Sequence, residues 1–244
     1  MPILETTEVT VRFGGNLAVN SVDLAVHEGA ITGLIGPNGA GKTTTFNVIT
    51  GLQSPTRGKV TLDGTDITKA SAHQRARAGV SRTFQRLELF GSLSVRDNVL
   101  TAAELNRVDG TAPRAVADDM VERVGLGDDA DKRADSLSTG AARLVELARA
   151  LACRPRVLLL DEPASGLDET ETDRFAEILT ELAGEGLAVL LVEHDVPLVM
   201  RLCQDITVLN FGEVLARGTP SEIQQDSAVV DAYLGQAADV GEHP

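Results

Sequence analysis

The chain has 244 residues, with 22 Lys+Arg against 36 Asp+Glu and a formal net charge of −14. Its 43% hydrophobic content is that of a folded globular protein, so disorder as the default state is excluded. The acidity argues against nucleic acid or an anionic lipid surface as the direct partner, since both draw on an excess of Lys and Arg. The length suits one large domain or one domain with a subdomain.

Val9–Phe13 and Val22–Val26 alternate apolar and polar residues, as half-buried strands do. Glu28-Gly29 is read as a hairpin turn into a third strand, Ala30–Ile35. Gly58–Leu62 reads as a further strand that ends in the turn signal Asp63-Gly64. From Val95 to Leu151 the chain turns rich in Ala, Leu, Arg and Asp at helical spacing, with Pro113 as a helix start. The α/β texture then returns. Val157–Leu160 and Ala188–Val192 are short apolar runs of the kind a strand buried on both faces requires. Ile206–Asn210 reads as a third strand of this part, and Glu169–Ala183 as a helix. Thr219-Pro-Ser-Glu222 has the form of a capping box. The polar tail after Gly235 is expected to fray.

Other absences narrow the class. Leu187–Val192 is far short of the roughly 20 apolar residues of a membrane span. The beginning of the chain shows no secretory signal, and Cys153 and Cys203 read as two reduced thiols. The four histidines show no metal-ligand spacing. A cytoplasmic protein is expected.

Gly36-Pro37-Asn38-Gly39-Ala40-Gly41-Lys42-Thr43 is a phosphate loop between a strand and a helix. Its glycines let successive backbone N–H groups turn toward one anion, and the helix dipole points at the same place. Lys42 supplies a point charge for the β- and γ-phosphates of a nucleotide, Thr43 a hydroxyl for Mg²⁺, and Thr44 a further phosphate hydrogen bond. Asp161 and Glu162 end the apolar run Val157–Leu160 at the sheet edge where such ligands bind. Asp161 is the candidate Mg²⁺ carboxylate and Glu162 the base for an attacking water. His194 follows the next strand on the same edge, in reach of the γ-phosphate.

Beyond this loop the sequence resembles the ATP-binding-cassette (ABC) ATPases almost end to end. Leu137-Ser-Thr-Gly-Ala141 looks like the family's signature motif, Gln85 like its Q-loop residue, Ser165-Gly-Leu-Asp168 like its D-loop, and His194 like its switch histidine. Phe13 stands where the family stacks an aromatic ring on adenine. The resemblance implies a P-loop NTPase (RecA-like) α/β core with an antiparallel β subdomain and an inserted helical subdomain. The core is read as residues 1–85 and 152–235, the helical signature subdomain as 86–151, and 236–244 as a flexible tail of one ABC ATPase domain. It further implies that Ser138, Gly140 and Asp168 meet nucleotide held by a second ATPase subunit, the same chain or a paralogue, and that Gln85 serves both the metal and catalysis. Thr139 and Ala141 depart from the usual signature residues.

Arg82-Thr-Phe-Gln85, Leu89-Phe90, Ser94–Val99 and the ending Val230-Asp-Ala-Tyr-Leu-Gly235 are similar to the branched-chain amino-acid importer ATPases. That likeness implies a motor for import of branched-chain amino acids or related amides. It also implies membrane permease subunits as partners, a solute-binding protein acting indirectly, and a place on the inner face of the cell membrane held through the permease. The lipopolysaccharide-exporter ATPases are similar in length and ending. A soluble ABC ATPase of assembly or repair, and a P-loop kinase or GTPase, are the other classes open.

Overall fold

The computed structural model describes residues 1–83, 86–106 and 110–239, with the side chains of 234–239 left aside. It opens with two long antiparallel strands, β1 (Pro2–Phe13) and β2 (Asn16–His27). β3 (Ile31–Ile35) leads through the glycine loop into α1 (Lys42–Thr50). β4 (Arg57–Leu62) pairs with β1, and β5 (Thr65–Asp66) returns on β4 across Asp63-Gly64. After α2 (Ala72–Arg77) and β6 (Val80–Arg82) come three helices, α3 (Val95–Leu105), α4 (Pro113–Arg123) and α5 (Thr139–Ala152). The chain then alternates β7 (Val157–Asp161), α6 (Glu169–Gly184), β8 (Ala188–Val192), α7 (Val196–Leu202) and β9 (Asp205–Asn210). It closes with β10 (Glu213–Gly218), α8 (Pro220–Gln225) and α9 (Ser227–Asp239). The backbone is thus helical four residues past Gly235, where composition suggests a frayed tail; residues 240–244 lie outside the described residues.

Two sheets result. One is antiparallel, in the order β2-β1-β4-β5; the other runs β10-β9-β3-β8-β7-β6 and is parallel except at β10. The expected hairpin at Glu28-Gly29 does not form, because β2 and β3 belong to different sheets. Gly29, at φ +71°, lets the chain cross between layers, and its N–H donates to the Gly186 carbonyl. A turn signal specifies a change of direction and leaves the choice of partner strand to the core.

The larger sheet is covered on both faces, which explains its unbroken apolar strands. On β7, Val157 and Leu159 pack toward the antiparallel sheet and α1, while Leu158 and Leu160 pack toward the helices. On β8, Ala188, Leu190 and Val192 take the first side and Val189 and Leu191 the second. Burying these side chains contributes about 25 cal/mol per Å² of apolar surface. One buried cation braces α1. Arg75, 1% exposed, donates to the carbonyls of Val48 and Ile49 at the end of α1 and to those of Thr68 and Ala70. It closes the far end of the helix whose first turn borders the glycine loop.

Candidate functional site

β3, β8 and β7 are neighbours in the parallel sheet, so the loops at their carboxyl ends lie side by side. These loops carry the glycine run 36–41, His194 and the Asp161-Glu162 pair. The sheet therefore assembles what is scattered over some 150 residues of chain.

The loop needs its glycines. Gly36 has φ +148°, and a Cβ there would overlap the Leu209 carbonyl. Gly41 has φ +103° and precedes α1 without any side-chain cap, leaving the first N–H groups of the helix open. Lys42 is 7% exposed, and its Nζ donates to the Gly36 and Pro37 carbonyls at 2.6 and 3.0 Å. Burial lowers the Lys42 pKa, and the charges of Glu162 and Asp161 oppose that shift. In a nucleotide-bound site the ammonium has a stronger acceptor than two carbonyls. The Tyr233 phenol of α9 is raised by burial, with a hydrogen bond from the Gly36 backbone acting against it, so the last helix touches the loop.

A cavity of about 500 Å³ opens beside the loop, lined by Asn16, Leu17, Ala18, residues 38–44, Glu162, His194 and Phe211. Glu162 faces it at φ +49°, a left-handed conformation that is costly for a residue with a long side chain. Its N–H donates to Val192 across the sheet, and its Oε1 lies 2.6 Å from His194 Nε2. The acid and the histidine thus form a pair at the cavity wall; the sequence reading puts both on this sheet edge without joining them.

Two expected members are not on the wall of this cavity. Asp161 is buried, and its Oδ2 accepts from Arg82 Nη2 at 2.7 Å. Arg82 also donates to Asn47 and stacks over Phe46, 5.4 Å from the ring centre. The carboxylate expected for Mg²⁺ already has a cation on one oxygen, so a metal must use the other or displace the guanidinium. Phe13 is half exposed at the end of β1, opposite Asn16, and does not line the cavity. Gln85 lies outside the described residues.

Ser138, Gly140 and Asp168 lie in other clefts. Ser138 caps α5, accepting the Ala141 N–H and donating to Glu171 Oε1 at 3.2 Å. Asp168 and Glu171 form a reciprocal capping box on α6. A Cβ at Gly140 would meet the Glu171 carboxylate and displace that side chain. One chain therefore holds the signature residues away from its own phosphate loop.

Glu193 is a residue the sequence reading passes over. It is 5% exposed, and its carboxylate accepts the N–H groups of Ala164 and His194 at 2.7 and 3.1 Å. It ties the loop after Glu162 to the histidine. Burial raises its pKa, with those two N–H groups opposing. The folded chain then holds this proton more tightly than the unfolded chain does. The associated stability is full below the unfolded carboxyl range and is lost as pH rises through the folded pKa. Glu193→Gln keeps one acceptor oxygen, sets an amide NH2 in place of the other, and removes the charge. The thermal midpoint of this variant, taken relative to that of the native chain, is expected to be higher at pH 8 than at pH 4. An equal gap at both pH values would show that ionisation of Glu193 does not set it.

A glycine loop built this way, at the carboxyl edge of a doubly covered parallel sheet, is that of the P-loop nucleoside-triphosphate hydrolases. Residues 19–165 match the family described as ABC transporter, and residues 213–239 match that described as branched-chain amino acid ATP-binding cassette transporter. The chain is 43% identical to the high-affinity branched-chain amino acid transport ATP-binding protein BraF of Pseudomonas aeruginosa, over 97% of this chain and 99% of that one. It is 41% identical to LivG of Salmonella typhimurium, a protein of the same description, with the same coverage. The crystal structure of the ADP conformation of an ATP-binding cassette of an ABC transporter superimposes with a TM-score of 0.87 at 29% identity, covering 96% of this chain and 99% of that one. The chain belongs to the ABC transporter ATP-binding family and hydrolyses ATP coupled to transport.

The family binds ATP with Mg²⁺. The donor chemistry here fits: the exposed Thr43 hydroxyl and the Asp161 carboxylate are hard oxygen ligands.

Proposed function

We propose that the chain is the motor of an importer for branched-chain amino acids or related amides, acting on separate membrane permease subunits served by a solute-binding protein. What carries this reading is the match of residues 213–239 to the branched-chain cassette family, which favours an importer over a lipopolysaccharide exporter. No helix among the described residues is long and apolar enough to cross a membrane, so the transport path has to belong to other chains. The permease would hold this subunit at the inner face of the membrane.

In this reading Lys42, Thr44 and the backbone N–H groups of 36–41 hold the phosphates, and Thr43, Asp161 and Gln85 hold Mg²⁺. The ion, when bound, draws charge from the β- and γ-phosphate oxygens. Glu162 accepts a proton from the attacking water, and His194, 2.6 Å from that carboxylate, holds it in place and faces the γ-phosphate. Ser138, Gly140 and Asp168 serve the nucleotide of a second subunit, which their separation from this chain's own loop supports. ATP then stabilises the closed pair through contacts that ADP lacks, and hydrolysis releases it. The core, 1–85 and 152–235, and the helical segment 86–151 are the units of this motion.

The permease side is a groove of about 340 Å³ between α2, α3 and α5, with Leu52 and Leu105 exposed at its rim. The loop that follows Gln85 is tied to α5 there. Glu146 accepts the Glu88 N–H at 3.0 Å, and Arg149 lies 5.1 Å from the centre of the Phe90 ring. A short permease helix fits such an apolar slot. The test is uptake of labelled leucine by cells in which the native chain is replaced. Deletion should abolish high-affinity uptake, the native chain should restore it, and Leu105→Glu should not, although the purified variant still hydrolyses ATP. Undiminished leucine, isoleucine and valine uptake in the deletion strain rejects the reading.

A further inference from the structure

Arg82 ends β6, the short strand that runs parallel to β7, in register with Leu159. Its side chain reaches further along β7, where Nη2 donates to Asp161 Oδ2 at 2.7 Å. Nη1 donates to Asn47 Oδ1 at 2.6 Å, and the guanidinium carbon lies 5.4 Å from the centre of the Phe46 ring. Asn47 and Phe46 belong to α1, the helix that opens with Lys42 and Thr43. One guanidinium thus ties the end of β6 to the acid of β7 and to the helix behind the phosphate loop. The side chains of Arg82 and Asp161 are 8% and 6% exposed. Asp161 Oδ1 accepts no hydrogen bond among the described residues.

A fold gains little from such a pair for its own sake. Two charges are taken out of water, and apolar side chains of similar volume often serve as well. The position supplies a reason. Asp161 is the carboxylate read as a Mg²⁺ ligand, together with the Thr43 hydroxyl. A buried carboxylate is costly without a positive partner, so one that takes a divalent ion needs another cation whenever the ion is away. Arg82 provides it. Asn47 and the Phe46 ring give the guanidinium two further contacts that do not depend on Asp161.

We propose that Arg82 is a positioning residue for the divalent ion: it holds the Asp161 carboxylate, and its charge opposes the ion that binds there. The proposal rests on reading Asp161 as a Mg²⁺ ligand. Two cations that share one buried carboxylate repel each other, so the guanidinium lowers the affinity of the site for metal. A site tuned in this way takes its ion together with the nucleotide, whose phosphates supply further negative charge, and holds the bare ion poorly.

Mn²⁺, followed by the electron paramagnetic resonance of the free ion, tests this on the full chain with and without ADP. Arg82→Gln keeps a hydrogen-bond donor and removes the charge. It should bind Mn²⁺ about tenfold more tightly than the native chain in both conditions. Arg82→Lys keeps the charge and should bind Mn²⁺ as the native chain does. Thermal melting separates this role from mere bracing of the fold. Arg82→Gln should melt below the native chain without metal, since Asp161 loses its partner, and Mn²⁺ with ADP should close most of that gap. If the variant folds only with Mn²⁺ and ADP present the proposal stands, and if it does not fold even then the proposal falls. Unchanged or weaker Mn²⁺ binding in Arg82→Gln, or a melting gap that metal does not narrow, overturns it. Asp161→Asn should bind Mn²⁺ more weakly than the native chain. Native affinity there would remove Asp161 itself from the metal site, and the role of Arg82 with it.

Discussion

Glu162→Gln is expected to hydrolyse ATP about a thousandfold more slowly than the native chain while binding it as tightly. The side chain reaches the cavity from a left-handed backbone position at the end of β7, and its Oε1 lies 2.6 Å from His194 Nε2. An amide has the same shape and hydrogen-bonds the histidine, but it cannot take a proton from water. The loss should therefore fall on kcat and leave the nucleotide dissociation constant alone. Single-turnover hydrolysis alongside titration calorimetry separates the two. A kcat within a few fold of native would remove Glu162 from the base role.

Lys42→Ala is expected to weaken ATP binding about a hundredfold or more. The ammonium is buried, and in the free chain it satisfies only the Gly36 and Pro37 carbonyls. A charge-assisted hydrogen bond to phosphate is worth about 1.5–3 kcal/mol, and here one cation reaches more than one oxygen. Its removal also takes a nearby positive charge from Glu162 and leaves Asp161 with that of Arg82. Calorimetry with ATP should show weak or no heat for this variant and native heat for a control such as Lys132→Ala on the exposed helical segment. Unchanged affinity in Lys42→Ala would contradict the phosphate-loop assignment.

The phosphate loop was legible because its information is local. Eight consecutive residues carry the turn, the charge and the helix start, and a strand and a helix flank them. β7 and β8 were legible because burial on both faces leaves no polar position to mislead. The shared edge of Glu162 and His194 followed from the rule that ligands gather at the carboxyl end of such strands, while their direct contact is visible only in the structure. The misreadings share a cause as well. Glu28-Gly29 looks like a hairpin, yet β3 pairs with β8 and β9, more than 150 residues away in sequence. Asp161 meets Arg82 from a different strand, 79 residues back, and no local pattern announces that pair. Glu193 was hidden beside a more conspicuous histidine, although an acid adjoining a doubly buried strand is a signal that a polar partner awaits it.

The acidity of the chain is compatible with an anion site for a similar reason. No Asp or Glu occurs from Gly29 to Pro55, the stretch that holds the phosphate loop, while Asp118, Asp119, Asp128, Asp129, Asp131 and Asp135 crowd the segment between Pro113 and α5. Arg96 answers two of these carboxylates, Asp118 and Asp131, on that surface. Much of the net charge lies on the outer helices, and the stretch that forms the phosphate loop carries none of it.

The central claim is that two copies close on ATP, each presenting Ser138 and Gly140 to the other's phosphate loop. The most direct measurement is the solution mass of Glu162→Gln by light scattering, without nucleotide, with Mg-ADP and with Mg-ATP. The mass should double with Mg-ATP alone, and Ser138→Arg should abolish the doubling without changing ATP affinity. A Glu162→Gln chain that binds ATP and keeps the mass of a single copy would contradict the account.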